Sequence, residues 1–314
     1  LFGVTAFRLY ESASDAARQE LLAMVLSRTQ HTIARPASVR GTGYWTGEEV
    51  RVEFRPAPVG AGRFFVREDL PHAPRIPATV AHRVDAQRRT VLTNNGVTVE
   101  MVEHVLAALA GLEVDNCEIG VTSSEMPGCD GSAAAFVEEI AQAGLRPQPG
   151  YVRPLIVKRP LRCGAEGKWI EARPPLDDRI TIEYRLDYGA DSSIGAQWQI
   201  AELEPVAFMA ELAPARTFLL KEEADALVAR GVGQHVSPKE LLIFGPEGPL
   251  ENTLRYDDEC VRHKILDVVG DLSLAGRPIV GHIVANCSGH QLHGELVAAL
   301  LADEEQYETQ KRTA

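Results

Sequence analysis

One order of elements occurs twice in this chain, and a duplication leaves few folds open to it. Between about residues 34 and 100 the pattern is short strands and turns: Glu49–Phe54 alternates apolar and polar residues, as does Thr90–Leu92, with Gly and Pro clusters between. The period then changes. Val99, Val102, Val105, Leu106 and Leu109 recur at helical spacing, with Thr98 placed to cap and Gly111 to stop. A strand over residues 116–121 is expected next, then a Pro/Gly/Asp loop from Met126 to Ser132, then a second helix over 133–143 ending at Gly144. The second half repeats this order. Strand-like stretches fill about 151–209, including the alternating run 179–184, and a helix is expected from about Asp257 to Ala275, stopped at Gly276. A strand over 279–285, a Cys-Ser-Gly turn and a final helix over about 291–301 complete it. Both long helices carry Val-x-His near their start, as Val102-Glu103-His104 and Val261-Arg262-His263. The pattern predicts an α+β protein of two domains built from one duplicated unit, over 31–149 and 150–303, meeting at Gln148-Pro149-Gly150. Residues 1–30 read as an N-terminal extension, with an amphipathic helix over 14–26 to which no chemistry is assigned, and 304–314 as a polar C-terminal tail.

Composition removes several function classes. A formal net charge of −12 argues against a nucleic-acid binder, which needs clustered Lys and Arg to neutralise phosphates. No apolar run reaches the roughly 18 residues needed to span a bilayer, and the first thirty residues lack an export-signal pattern. The five cysteines are an odd number without a C-x-x-C pair, which suits a reducing compartment better than a disulfide framework or a zinc ribbon. A cytoplasmic protein without stable membrane insertion, working as a monomer, is the expectation.

The chemistry-bearing residues lie on the two long helices. On the second, His263, Asp267 and Asp271 are spaced four apart and share one face, whereas Ile265, Leu266, Val268, Val269 and Leu272 are built to pack. Taken alone, that helix fits a buried polar site and a solvated face with one histidine equally well. An unpartnered buried carboxylate costs several kcal/mol, so the buried version calls for a cation or a hydrogen-bond network. The first helix favours the site. It carries Glu103-His104 in a run of Val, Leu and Ala, where a lone histidine is usually a satisfied core residue. Two equivalent helices each offering a histidine, with one Asp, give the two-histidine, one-carboxylate set of zinc hydrolases, with the fourth position open to water. Glu103, beside a ligand but pointing elsewhere, is placed to act as general base. Ser288-Gly289-His290, at the turn before the last helix, supplies either a proton donor or a helix cap. Histidines 31, 72, 82, 235, 282 and 293 have no assignable partner, and no Walker loop, G-x-G-x-x-G, G-x-S-x-G or H-E-x-x-H is present.

On these residues the chain resembles the UDP-3-O-acyl-N-acetylglucosamine deacetylases, zinc enzymes of the committed step of lipid A synthesis. The matching segments run in one order over roughly residues 30–302: Thr98 to Leu112, Asp115-Asn116, Asp130-Gly-Ser-Ala133, Phe136-Val137, Ala215-Arg-Thr-Phe218, Asp258-Glu259, Val261 to Asp267, Gly270-Asp271-Leu272 and Ser288-Gly-His290, with Arg55-Pro-Ala-Pro58 earlier. The resemblance implies two α+β domains, each a sheet layered with a pair of helices, and an active site at their junction. It implies one Zn²⁺ per chain on His104, His263 and Asp267, and Glu103 as general base. It further implies His290, held charged by Asp271, as general acid or oxyanion stabiliser. Thr217 would donate a hydrogen bond to the oxyanion, Phe218 would pack near the sugar, and Lys264 would contact substrate near the metal. The implied partner is a UDP-linked acylated amino sugar that loses its N-acetyl group as acetate. A related N-acyl amino sugar is the alternative substrate, and a non-catalytic sugar-nucleotide or lipid-binding relative the alternative role. Joint retention of Glu103, His290 and Thr217 argues against the last, because a structural zinc has no use for them. Two stretches differ from the family pattern: Gly43-Tyr44-Trp45-Thr46-Gly47, where the family usually has Leu-His before Thr/Ser-Gly, and Gly233-Gln-His-Val-Ser-Pro238, where it has Gly-Gly-Ser in the part lining its acyl passage.

Overall fold

A computed structural model describes residues 24, 26–238 and 240–313, with side chains through 310. The helix expected over 14–26 lies, apart from residues 24 and 26, outside the described residues. The first half comprises β1 (Arg28–Ile33), β2 (Ala37–Thr42), β3 (Glu49–Pro56), β4 (Arg63–Arg67), β5 (Arg75–Pro77), β6 (Arg83–Val84), β7 (Val91–Asn94), β8 (Val97–Glu100), α1 (Glu103–Gly111), β9 (Cys117–Val121) and α2 (Ala134–Ala143). Next come β10 (Leu145–Val152), β11 (Leu155–Ile156), β12 (Leu161–Ala165), β13 (Lys168–Arg173), β14 (Ile180–Asp187) and β15 (Ala196–Glu202). The chain ends with β16 (Phe218–Leu220), α3 (Lys221–Ala229), β17 (Leu242–Gly245), β18 (Gly248–Pro249), α4 (Glu259–Leu272), β19 (Ile279–Asn286) and α5 (His290–Thr313).

The two large sheets have the same topology. One runs β2-β3-β9-β4-β5 and the other β12-β13-β19-β14-β15. In each, the last strand of the unit enters the middle, antiparallel to the second strand and parallel to the third. Each unit also carries an insertion at the same point, after its fourth strand and before its long helix. In the first it is the small sheet β6-β7-β8, and in the second it is β16-α3-β17-β18. Residue 150 lies within β10, which pairs antiparallel with β1.

Burial follows the alternation of the strands. Along β3, Val50, Val52 and Phe54 are buried, whereas Arg51, Glu53 and Arg55 face outward. There they interlock with Glu68 and Glu118, with Arg51–Glu68 and Arg55–Glu118 each at 3.0 Å. The inner side is helical. Helix α1 is buried nearly all round, and in α4 every residue but Arg262 and Lys264 is buried, as expected of helices sandwiched inside a protein. The two pack against each other. Gly270 makes the approach possible, since a Cβ there would fall 2.1 Å from the carbonyl oxygen of Glu103. Gly111 does the same for the Phe208 ring, which would stand 2.2 Å from an added Cβ. Arg255 of the second half reaches Asp130 of the first at 2.7 Å.

Two expected elements are corrected. Residues 98–100 belong to a strand, and α1 begins only at Glu103. Asn95-Gly96, with φ of 50° and 80°, makes the left-handed turn of a two-residue hairpin joining β7 to β8. The β-branched Val97-Thr98-Val99 extends that hairpin, so its apolar spacing reports a strand and not a first helical turn. Helix α5 also runs on past residue 301 through the polar segment to 313, where Glu, Gln and Lys have good helix propensity. All five cysteines are free. No helix among the described residues is long and apolar enough to cross a membrane.

Gly270→Ala is expected to force α1 and α4 apart and cost about 1–3 kcal/mol, the usual penalty for overpacking. Urea unfolding would show it as a lower midpoint. A variant with wild-type stability would mean the helix contact yields without cost.

Candidate active site

The α1–α4 seam brings together side chains from both halves. Glu103 and His104 stand on the first turn of α1, and His263, Lys264, Asp267 and Asp271 on successive turns of α4. His290 opens α5. Asp267 Oδ1 lies 3.6 Å from His104 Nε2 and 3.5 Å from His263 Nε2, and the two rings meet edge to face with centroids 5.1 Å apart. These separations are too long for hydrogen bonds. They match donors around one tetrahedral ion, since two ligands about 2.1 Å from it stand about 3.4 Å apart. His263 Nδ1 is 3.1 Å from the carbonyl oxygen of Ala215. Donation there puts the proton on Nδ1 and leaves Nε2 bare toward the site, as a metal-binding imidazole requires. Burial pushes the His263 pKa down to about 3, further favouring the neutral ring. The donor set therefore fits a zinc ion.

Lys264 Nζ stands 2.6 Å from Asp267 Oδ2. Burial alone would push the Asp267 carboxyl up, but Lys264 and the neighbouring histidines outweigh it and hold it well below the usual range. Glu103 is buried, and its Oε2 accepts the backbone N–H of Thr90 at 3.0 Å. Burial raises its pKa. His290 Nε2 lies 4.0 Å from Asp267 Oδ2, and its Nδ1 lies 2.8 Å from Asp271 Oδ2. Burial opposes a charge on this ring, but the Asp271 carboxylate overcomes it and lifts the pKa to about 9.

These groups face a cavity of about 860 Å³. Glu103, His104, Thr217, Phe218, His263, Lys264, Asp267 and His290 all line it, and Asp271 sits behind His290. Thr217 is held at the lip by its N–H, which donates to Gly131 O at 2.7 Å. The Phe218 ring stands edge-on to His263, with centroids 6.2 Å apart. Away from the charged groups the wall is apolar, with Leu219, Ala224, Leu227, Val228 and Ile243 from the β16-α3-β17 insertion. Tyr44, Trp45, Gly233 and Val236 close the same space. The two stretches that differ from the family pattern touch one another, with His235 Nε2 2.7 Å from Gly43 O, and just beyond the second stretch Glu240 O accepts the Tyr44 hydroxyl at 2.7 Å. Arg89 stacks over the Trp45 ring at 4.2 Å.

Two members of the cluster had no assigned part. Thr90 Oγ1 donates to Asp271 Oδ1 at 2.5 Å, and His293 Nδ1 lies 2.7 Å from Asp271 Oδ2. His293 sits three residues after His290, a spacing that puts both on one helix face, so its signal was present. Thr90 carries none, because only the hairpin turn brings it to α1.

The electrostatics are testable on metal-free protein. The raised folded pKa of His290 means that its pairing with Asp271 stabilises the fold below the unfolded value of about 6.5. That contribution is lost as pH rises through about 9. Following the His290 ring by NMR should place its midpoint there, and Asp271→Asn should return it toward the ordinary imidazole range. An unmoved midpoint would remove Asp271 as the cause.

The family model described as UDP-3-O-acyl N-acetylglycosamine deacetylase matches residues 30–302. A UDP-3-O-acyl-N-acetylglucosamine deacetylase of Solibacter usitatus is 36% identical over 90% of this chain and 94% of its own length. Proteins of the same name from Thermosynechococcus vestitus and a Synechocystis species are each 38% identical, over 88% and 87% of this chain and 95% and 98% of their own. The chain belongs to the UDP-3-O-acyl-N-acetylglucosamine deacetylase family of hydrolases.

Proposed function

We propose that this protein removes the N-acetyl group of a UDP-linked 3-O-acyl-N-acetylglucosamine as acetate, in lipid A synthesis, using one zinc ion held by His104, His263 and Asp267. The observation that carries this reading is that those three donors share the lining of one cavity with a buried carboxylate, Glu103, a charged imidazole, His290, and the apolar side chains of the β16-α3-β17 insertion. Bound there, zinc would polarise the amide carbonyl and lower the pKa of water beside it. Glu103 takes the proton from the attacking water, and its desolvated carboxylate has the raised basicity for that task. The Thr217 hydroxyl at the lip offers a hydrogen bond to the oxyanion. His290, charged at neutral pH, stabilises the same oxygen or passes its proton to the departing amine, a poor leaving group unless protonated. Phe218 gives the sugar an apolar face. Lys264 neutralises Asp267 and presents its ammonium near the substrate. Leu219, Leu227, Val228 and Ile243 offer the apolar wall that an acyl chain needs, and Lys168, on the same lining, offers a cation for the diphosphate. On this reading the protein works in the cytoplasm as a monomer.

Acetate release from UDP-linked substrates with 3-hydroxyacyl chains of several lengths tests the reading. The expected result is turnover that stops on chelation and returns with one equivalent of zinc. Glu103→Ala should keep about one zinc per chain while kcat falls about 10²–10⁴-fold, the usual contribution of a general base. Full activity in that variant would overturn the assignment of the base. Turnover of a different N-acyl amino sugar alone would overturn the substrate.

A further inference from the structure

The carboxylate of Asp271 is held by more groups than the proposed reaction uses. His290 Nδ1 and His293 Nδ1 lie 2.8 and 2.7 Å from the same oxygen, Oδ2, while Thr90 Oγ1 donates to Oδ1. His293 is fully buried and does not line the cavity. Its other nitrogen, Nε2, lies 2.8 Å from Ser288 Oγ, and the backbone oxygen of Ser288 accepts the Tyr184 hydroxyl at 2.5 Å. Burial favours the neutral form of His293. A neutral imidazole beside an ionised Asp271 donates from Nδ1 and accepts the Ser288 hydroxyl at Nε2, so every polar atom of the ring is satisfied.

We propose that His293 is a positioning residue for the reaction: by donating to Asp271 Oδ2 from one side, it fixes that carboxylate's rotation and thereby the direction in which the His290 ring presents Nε2 to the reacting centre. The proposal rests on the reading of His290 given above. The geometry explains why a second histidine is needed. Asp271 and His290 sit on different helices, and with Thr90 on Oδ1 as its sole other partner the carboxylate could still turn together with the ring that it orients. Thr90 on Oδ1 and His293 on Oδ2 remove that rotation. His293 follows His290 by three residues, so both rings turn to one oxygen without distorting α5. Asp271, His290 and His293 also offer one ligand atom each within 4.8 Å, the spacing of a second metal site. Yet both Nδ1 atoms lie within hydrogen-bond reach of one oxygen, closer than the ~3.4 Å between ligands of a tetrahedral ion.

The test compares His293→Asn, whose amide N–H can reach Asp271 but not Ser288, with His293→Leu, which makes neither bond. The expected result for His293→Leu is a kcat about 10- to 100-fold lower, the usual cost of losing an orienting partner, with KM unchanged and one zinc per chain. His293→Asn should recover most of the kcat. Equal kcat losses in both variants, a loss expressed only in KM, wild-type kcat in folded His293→Leu, or two metal ions in wild type and one in either variant would each overturn the proposal. Ser288→Ala serves if His293→Leu does not fold: kcat should drop severalfold with KM unchanged, and an unaltered kcat counts against the chain of contacts. Wild-type protein that turns over no UDP-linked acyl sugar would defeat the functional reading instead. His293 would then be judged by NMR, where the His290 Nδ1–H resonance should persist in His293→Asn and broaden by exchange in His293→Leu. An unchanged resonance in His293→Leu would overturn it.

Discussion

Gly270 lets the backbone of α4 come against the carbonyl of Glu103, and the rest of the molecule's centre is arranged around that contact. The polar side chains on facing turns of α1 and α4 are almost wholly withdrawn from solvent except where they meet the cavity, so most of their polar groups must find partners within the cluster. Satisfaction is nearly complete. Glu103 takes the Thr90 amide, Asp267 takes Lys264, Asp271 takes Thr90 and two histidines, and His263 gives its Nδ1 proton to Ala215. At the donor set, the Nε2 edges of His104 and His263 and one oxygen of Asp267 are left facing one another beyond hydrogen-bond reach. With Glu103 ionised, three buried carboxylates stand against Lys264 and His290, a net single negative charge. The unsatisfied lone pairs and the missing positive charge lie at the same point, which is why this cluster calls for a cation there and not elsewhere.

Much of this could be read from the amino-acid order because the site is local in sequence at each of its sources. His263, Asp267 and Asp271 declare themselves by helical spacing, and His104 by its place in a second run of the same kind. The matching strand orders of the two sheets are likewise the spatial form of an order visible in one dimension. Where the reading failed, a local signal was outranked by a stronger one. The apolar positions Val99 and Val102 fit a helical period, but Asn95-Gly96 favours a tight left-handed turn, and β-branched residues on both sides complete a hairpin. The cost of that misreading was Thr90, which the hairpin delivers to both Glu103 and Asp271. His293 was passed over for a different reason. Its partner Asp271 lies on another helix, and no spacing within one element reveals which carboxylate a buried histidine will meet. The contact of Gly43-Tyr44 with His235 and Glu240 is of the same kind, two stretches nearly two hundred residues apart whose meeting depends on the whole fold.

The duplication explains how one template yields an asymmetric site. Aligned on their Val-x-His starts, α1 and α4 pair His104 with His263 and Gly111 with Gly270. Both glycines serve close packing, one against a phenylalanine ring and the other against the carbonyl of Glu103. The remaining positions have diverged. Glu103 faces the site, whereas its counterpart Arg262 turns to Asp258 at an exposed edge. Ala108 and Leu112 are apolar, whereas Asp267 and Asp271 stand at the matching places of α4. One copy thus keeps a greasy helix that seats His104 and Glu103, and the other has become the polar rail carrying His263, Asp267 and the partner of His290. A symmetric pair of acidic helices would bury more carboxylates than the available cations could balance, so retaining the duplication's geometry required losing its chemistry on one side. The insertions divide the work in the same way. The one before α1 supplies Thr90 to Glu103 and Asp271, and the one before α4 supplies Thr217, Phe218 and the apolar side chains of the cavity lining. Because each enters just ahead of its long helix, each reaches the seam from its own half without disturbing either sheet.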